Sequence, residues 1–372
     1  MRVIVAAAGT GGHINPGIAI ANKIKEKEPK SKIIFIGTAR GLENDLVPRA
    51  GYELERIEAY GLSKKLTIDN LKKMYQTYHS ISKAKKIIKE FRPDVVIGTG
   101  GYICGPVCMA AKSLKVPVVL HESNAFPGKA VKMLEKKVDK ILVAFDDAKK
   151  RLKNSEKVIV TGNPTKIRNL DLTQKQKEGI KKQLGFREEK PFVLVFGGSQ
   201  GAKAINDTFL TLMEKRLNKD YQILLAAGPR QYDEMKEELE NRKINIEMQK
   251  EIKIVPYIYN MEEVMNACDL AICRSGAMTI TELAIIGKPA IFIPLPNVSN
   301  NHQEYNAKVL EEVGAAKIIL EKELTAEKLN KQITEIITKE ETLQKMASSA
   351  RKIAISQVEE KIYQEIKKVV KK

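Results

Sequence analysis

Long hydrophobic runs are missing. No apolar stretch approaches the roughly 18 residues of a spanning helix, which argues against a helix that crosses a bilayer. The apolar run at the start, residues 3–8, is too short for a signal-peptide core, so the chain is expected to stay in the cytoplasm. Cysteine is scarce. Cys104, Cys108, Cys268 and Cys273 form no CxxC pair and have no histidines at metal spacing, so they read as structural thiols. Aromatic residues make up only 5%, which offers few platforms for stacking nucleic-acid bases. No Asp-x-Asp motif occurs, since Asp146-Asp147 and Asp269 stand alone, and no bound metal is expected. Acids are outnumbered, 46 against 64 basic residues, which leaves +18. That charge suits a lysine-rich solubilising surface, or attraction to nucleic acid, a phosphorylated substrate or an acidic membrane; alone it does not choose.

What is present is globular: 43% hydrophobic and 30% charged over 372 residues, too long for one ordinary core. Short strands alternate with helical segments, which predicts an α/β fold with parallel sheets. The first half offers strands at Val3–Ala8, Lys32–Ile36, Val95–Gly98, Val118–His121, Lys140–Ala144 and Lys157–Thr161. The pattern lapses over 163–190, read as a linker and the start of a second domain. The opening move then repeats, with a strand at Phe192–Phe196, a glycine turn at Gly197–Gly201 and a helix over Ala202–Arg216. Further strands fall at Ile223–Ala226, Ile252–Val255, Leu270–Cys273, Ala290–Pro294 and Ala316–Ile319. The expected division is 1–163 and 164–345, with a helix over about 346–372 packing back on the first domain.

The first glycine turn, Gly9-Thr10-Gly11-Gly12-His13-Ile14-Asn15-Pro16, follows a buried strand and precedes a helix expected from Ile18, with Asn15 as N-cap and Pro16 at the first helical position. A helix N-terminus beside glycines suits an anion. The turn is no dinucleotide fingerprint: Ile14 stands where the third glycine is needed, and Ile36-Gly37-Thr38 ends the second strand without an acid. No GK[ST] follows a glycine loop, which removes the Walker reading. His13 reads as a base or substrate contact, against the plainer reading of a turn residue; a helix N-terminus favours its neutral, proton-accepting ring. Gly98-Thr99-Gly100-Gly101-Tyr102 makes a second turn at a strand's carboxyl end, either a ligand edge or only a tight βα connection. His121-Glu122-Ser123-Asn124 continues the same rim.

In the second half, Gly197–Gly201 reads as a phosphate cradle, with Ser199 adding a hydroxyl. Arg274 to Glu282 spans a strand end, a turn and a helix start. Glu282 there can accept from two neighbouring hydroxyls, as on a ribose, or serve only as a favourable early-helix acid. Asn301-His302-Gln303-Glu304 lies on the same rim. The segment 60–92 is different. Lys64, Lys65, Lys72, Lys73, Lys83, Lys85, Lys86, Lys89 and Arg92 interleave with Leu71, Met74, Tyr75, Tyr78 and Ile81 at helical steps. This is an amphipathic helix packed on the sheet, or one that docks on anionic headgroups.

GTGGHxxP at the start, GTGGYxxGP at 98–106, HESNAxPG at 121–128, TGNP at 161–164, GGSQGA at 197–202 and RSGAxTxxEL at 274–283 together resemble the MurG family. These are peripheral-membrane glycosyltransferases that add N-acetylglucosamine to lipid-linked N-acetylmuramyl-pentapeptide in peptidoglycan synthesis. The resemblance runs from residue 1 to past 310. It implies a GT-B fold of two Rossmann-like domains with parallel sheets facing across a cleft. It implies UDP-N-acetylglucosamine and an undecaprenyl-diphosphate-linked muramyl-pentapeptide as substrates, no cofactor, no nucleic-acid partner, and work on an anionic membrane at its cytoplasmic face.

By the same resemblance, Ser199 and its loop hold the diphosphate and Ile258 contacts uracil. Ala277, Met278, Thr279 and Glu282 line the nucleotide, and Gln303 reaches the sugar. Thr10, Gly11, Gly12 and Asn124 approach the N-acetylglucosamine and acceptor, Gly100, Gly101 and Tyr102 form an acceptor loop, and His13 is the general base. Leu71, Lys72, Lys73, Tyr75, Tyr78 and Ile81 form the membrane patch. Two departures stand out. Lys166 replaces the arginine many relatives carry after TGNP, which keeps the charge but loses the fork, and Tyr75 and Tyr78 make the patch less apolar. Rival readings are a GT-B enzyme acting on another lipid, an N-acetylglucosamine 2-epimerase, or a basic nucleic-acid-binding protein.

Overall fold

β1 (Arg2–Ala7) is buried from Val3 onward, as a central parallel strand must be. The structure is a computed structural model that describes residues 1–60, 68–198 and 200–371, with side chains throughout except at 68–74, 78, 155 and 299. After β1 come α1 (Gly11–Lys27), β2 (Lys32–Gly37), α2 (Glu43–Arg49), β3 (Glu53–Arg56), α3 (Ile68–Phe91), β4 (Val95–Gly100) and α4 (Cys104–Ser113). β5 (Val118–Glu122), α5 (Lys129–Leu134), β6 (Lys140–Val143), α6 (Asp146–Lys150) and β7 (Val158–Val160) complete the first half. These strands form one parallel seven-stranded sheet in the order β3-β2-β1-β4-β5-β6-β7.

Alternation along the strands feeds two apolar layers. Ile4, Ala6, Ile36, Val96 and Leu120 pack with Ala84, Ile88, Val107 and Ala111 of α3 and α4. Val3, Val5, Phe35, Val95 and Ile97 pack with Ile20, Ala21 and Ile24 of α1. β3 escaped the sequence reading because this edge strand buries only Leu54 among polar neighbours.

The second half contains α7 (Gln174–Gln183), β8 (Phe192–Phe196), α8 (Lys203–Glu214), β9 (Gln222–Ala226), α9 (Tyr232–Asn241), β10 (Ile252–Val255) and α10 (Met261–Ala267). β11 (Leu270–Cys273), α11 (Ala277–Ile286), β12 (Ala290–Phe292), α12 (His302–Glu312), β13 (Ala316–Ile318), α13 (Ala326–Ile337) and α14 (Glu340–Lys352) follow. The parallel six-stranded order is β10-β9-β8-β11-β12-β13. α7 lies where the sequence pattern lapses. Its apolar content is low, but Thr173 and Gln176 cap it reciprocally.

The chain divides into one unit of Met1–Lys166 with Ile355–Lys372 and another of Ile167–Ala354. The basic tail is not one helix. α14 packs its Met346 into the second unit's core. α15 (Val358–Val370) returns to the first unit and buries Val358, Ile362, Ile366 and Val369. Glu28 fastens α15 there, accepting from Lys367 Nζ at 2.6 Å and Tyr363 Oη at 2.9 Å.

Candidate active site

In the first unit the chain order reverses between β1 and β4, and open α/β sheets bind ligands at that carboxyl-edge crevice. Thr10 is extended (φ −114°, ψ 159°), and its carbonyl accepts the amides of His13 at 3.0 Å and Ile14 at 3.2 Å. α1 therefore starts at Gly11, well before the expected Ile18, with Thr10 rather than Asn15 as N-cap. Pro16 lies inside the helix, and its missing N–H removes the bond to the Gly12 carbonyl. This correction moves His13 out of the turn and into the first helical turn.

His13 is half-buried, and its Nδ1 lies 3.1 Å from the Ala8 carbonyl oxygen. A carbonyl only accepts, so Nδ1 donates, and in the neutral form of the ring Nε2 is then the accepting nitrogen. The second glycine turn is built around this ring. A Cβ on Gly100 (φ +132°) would stand 2.3 Å from His13 Cδ2, and one on Gly101 (φ +81°) would stand 2.4 Å from the Ala8 oxygen. Thr99 Oγ1 donates to the His13 carbonyl at 2.8 Å. The structure thus brings Thr10, Gly11, Gly12 and His13 together with Gly100 and Gly101, while the Tyr102 side chain is exposed.

At the end of β5, buried Glu122 accepts from Asn124 N at 2.8 Å, Asn124 Nδ2 at 3.1 Å and Gly128 N at 2.7 Å. Burial pushes this carboxyl's pKa up, against those hydrogen bonds. His121 is fully buried and donates Nε2–H to the Gly162 carbonyl at 3.1 Å; its pKa is pushed down to about 4 by burial. That bond and Asn163 Nδ2 to the Ser123 carbonyl (3.0 Å) join the HESN and TGNP segments. Burial pushes the Cys104 thiol up to about 12, which fits a structural residue.

The second unit repeats the arrangement. Gly201 (φ +77°) lies against the loop after β9: a Cβ would stand 2.2 Å from the Ala227 oxygen. Gly228 (φ +91°) in turn leaves no room for a Cβ against Gly201. Gly198 (φ +89°) faces open space. Asn206 Nδ2 reaches the Ala227 carbonyl and Gln231 Oε1 at 3.0 and 2.9 Å, which ties α8 to the loop after β9. Ser199, the expected diphosphate contact, lies outside the described residues.

At the next strand end, Gly276 is the N-cap of α11, which places Ala277, Met278 and Thr279 in its first turn and Glu282 in its second. Gly287, left-handed at φ 65°, closes this helix. Ser275 Oγ donates to the Gln303 carbonyl at 2.8 Å, and Gln303 Oε1 accepts from Leu295 N at 3.0 Å, so Gln303 is held on the same rim. Arg274 bridges the Ile293 and Pro294 carbonyls and pairs with Glu321. Ile258 is buried. Among the described residues no cluster of side chains could hold a metal ion.

Residues 3–143 match the model of the glycosyltransferase family 28 N-terminal domain, and residues 192–365 that of the family's C-terminal domain. The chain is 46% identical, over 99% of its length and 100% of the relative's, to the UDP-N-acetylglucosamine--N-acetylmuramyl-(pentapeptide) pyrophosphoryl-undecaprenol N-acetylglucosamine transferase of Thermoanaerobacter sp. (strain X514). It is 43% identical, over 100% of both chains, to the enzyme of the same name from Ruminiclostridium cellulolyticum. The crystal structure of Acinetobacter baumannii MurG superimposes with a TM-score of 0.77 at 28% identity, covering 99% of both chains. The chain belongs to the MurG family. Its two parallel-sheet α/β units are those of the GT-B fold.

Residues expected from the MurG resemblance fare unevenly. Lys166 is the last residue of the first unit and is exposed. Of the expected membrane patch, the side chains of Leu71, Lys72, Lys73 and Tyr78 lie outside those described. Tyr75 is 67% exposed, with its ring edge-on to His79. Ile81 is half-buried and packs against the core beside Ala84 and Ile88, on the inward stripe of α3. Sequence reasoning also missed Glu43, a buried acid that accepts the Gly9 amide at 2.9 Å. The only signal for it was an acid shortly after a strand that ends in glycine.

Proposed function

We propose that this chain moves N-acetylglucosamine from UDP-N-acetylglucosamine to the C4 hydroxyl of undecaprenyl-diphosphate-linked N-acetylmuramyl-pentapeptide, inverting the anomeric carbon. The observation that carries the catalytic assignment is the bond between His13 Nδ1 and the Ala8 carbonyl, which leaves Nε2 as the proton acceptor. The acceptor oxygen attacks C1 of the sugar, and its proton passes to Nε2. The bond from C1 to the phosphate oxygen breaks, and UDP leaves with the electron pair. A positioned base supplies roughly 10²–10⁴ in rate.

The second unit receives the donor in this reading. Gly197–Gly201, with Ser199, and the start of α8 stabilise the charge that develops on UDP. Glu282 takes the ribose hydroxyls, Ala277, Met278 and Thr279 line the nucleotide, Ile258 contacts the uracil, and Gln303 reaches the sugar. The first unit contributes Thr10, Gly11, Gly12 and Asn124 toward the sugar, and Gly100, Gly101 and Tyr102 toward the acceptor. Lys166 stands in for the family arginine as a point charge.

The same reading places the chain on the cytoplasmic face of the membrane as a peripheral protein. No helix among the described residues is long and apolar enough to cross a membrane. The outward stripe of α3 carries exposed Tyr75, Lys83, Lys86 and Lys89, a composition suited to anionic headgroups. Labelled UDP-N-acetylglucosamine offered with a short-chain lipid-linked muramyl-pentapeptide tests the reaction, with the disaccharide lipid as the expected product. Transfer to a plain lipid instead, or epimerisation at C2 without an acceptor, would overturn it.

A further inference from the structure

The turn that launches His13 is held by an acid outside every motif named so far. Glu43, the first residue of α2, is 0% exposed. Its Oε2 accepts the Gly9 amide at 2.9 Å, and its Oε1 accepts the Thr38 amide at 2.9 Å and Thr38 Oγ1 at 2.7 Å. The Gly9 carbonyl in turn accepts the Leu42 amide at 3.2 Å, so the loops after β1 and β2 are joined by bonds in both directions. Two glycines make room for the carboxylate. A Cβ on Gly37 would stand 2.7 Å from Glu43 Cγ, and one on Gly41 would stand 2.0 Å from Oε2 and 2.8 Å from the Gly9 nitrogen. Burial alone would raise this carboxyl's pKa, but the hydrogen bonds from Gly9 and Thr38 outweigh it and hold the group below the usual range.

We infer that Glu43 is a positioning residue for the transfer reaction: its carboxylate fixes the Gly9 turn, and through it the register in which Thr10, Gly11, Gly12 and His13 enter α1. Gly9 is left-handed at φ +97° and has nothing within 4 Å of where a side chain would be. The turn is therefore held by its two hydrogen-bonded neighbours rather than by packing. Only one residue, Thr10, separates this anchored turn from the helix that carries His13. A small rotation at Gly9 moves Thr10, whose carbonyl accepts the His13 amide. Misplacement of a reacting group by about 1 Å can cost on the order of a hundredfold in rate. A Rossmann-type fold commonly uses an acid near the second strand on a ribose; here the acid is committed instead to the backbone of the first loop.

This inference rests on the reading of His13 as the base, and the experiment separates the two. Glu43→Gln keeps the shape but sets an NH₂ group against one of the donors. Its kcat is expected to fall about ten- to hundredfold, with the KM for UDP-N-acetylglucosamine and the Kd for UDP both within twofold of wild type. Thr38→Val leaves the Gly9 bond in place and serves as a control for lost stability; its kcat is expected to stay within threefold. The chain has four histidines. In NMR spectra of the whole protein, Glu43→Gln should shift the His13 ring signals and leave those of His79, His121 and His302 in place. Unmoved His13 signals with a kcat within twofold of wild type would overturn the inference, as would a larger kcat loss in Thr38→Val than in Glu43→Gln. If the wild-type protein transfers no sugar, the reaction reading fails, while the His13 signals still decide whether Glu43 positions the ring.

Discussion

Gly100 has no side chain because His13 occupies the place one would take. A Cβ at 100 would stand 2.3 Å from the ring's Cδ2 and 3.0 Å from Nε2, the nitrogen proposed to accept the acceptor's proton. Gly100→Ala therefore tests the geometry without touching the imidazole. The ring must swing away from the Ala8 carbonyl, and the residue must also hold φ +132°. Turnover is expected to fall at least tenfold, and UDP affinity, which the proposed reading gives to the second unit, to stay within twofold. His13→Ala should lose roughly 10²–10⁴ in kcat with the same UDP affinity. Steady-state kinetics alongside UDP titration calorimetry reads both variants.

The second unit holds the matching test. Gly201→Ala drives a Cβ to 2.2 Å from the Ala227 carbonyl at φ +77°. The strain should cost about 1–3 kcal/mol and open the contact between the loops after β8 and β9. Weaker UDP binding, with the His13 NMR signals unmoved, is the expected result.

His121 makes the first unit acid-sensitive. Burial holds its folded-state pKa near 4, below the ordinary 6.5. Between those values the unfolded chain binds more protons than the folded one, so stability falls as pH drops from about 6.5 to about 4 and then levels. At the lower end the loss reaches about 3 kcal/mol. Urea unfolding across that pH range should show the slope, and His121→Asn should flatten it.

Ile366 is fully buried where α15 meets the first unit's core. Ile366→Ala should destabilise that unit by about 2–5 kcal/mol and leave UDP affinity, proposed to lie in the second unit, unchanged. Two calorimetric transitions, of which only one moves, would be the signature.

Strands were the most legible part of the sequence. Val3–Ala7 and Phe192–Phe196 are continuous apolar runs of the kind central parallel strands carry, and both stand where those runs place them. Glycines that mark a strand end were legible too, because Gly101 and Gly201 are dictated by backbone approach and Gly100 by the His13 ring. Helix starts were not. Asn15-Pro16 has the chemistry of an N-terminus, yet the Thr10 carbonyl opens the helix earlier. Nor were the acids behind the loops. Glu43 and Gly9 lie far apart in sequence and meet through a main-chain amide, so no residue pattern pairs them.

The path of the chain also orders its own synthesis. Residues 167–354 are an insertion within the first unit, whose last element is α15. A ribosome releases Val358, Ile362 and Ile366 only after the whole second unit has emerged and can fold on its own contacts. Until then the face formed by Val3, Val5 and Val95 beside α1 lacks its final cover. The half of the protein that is made first is the half completed last.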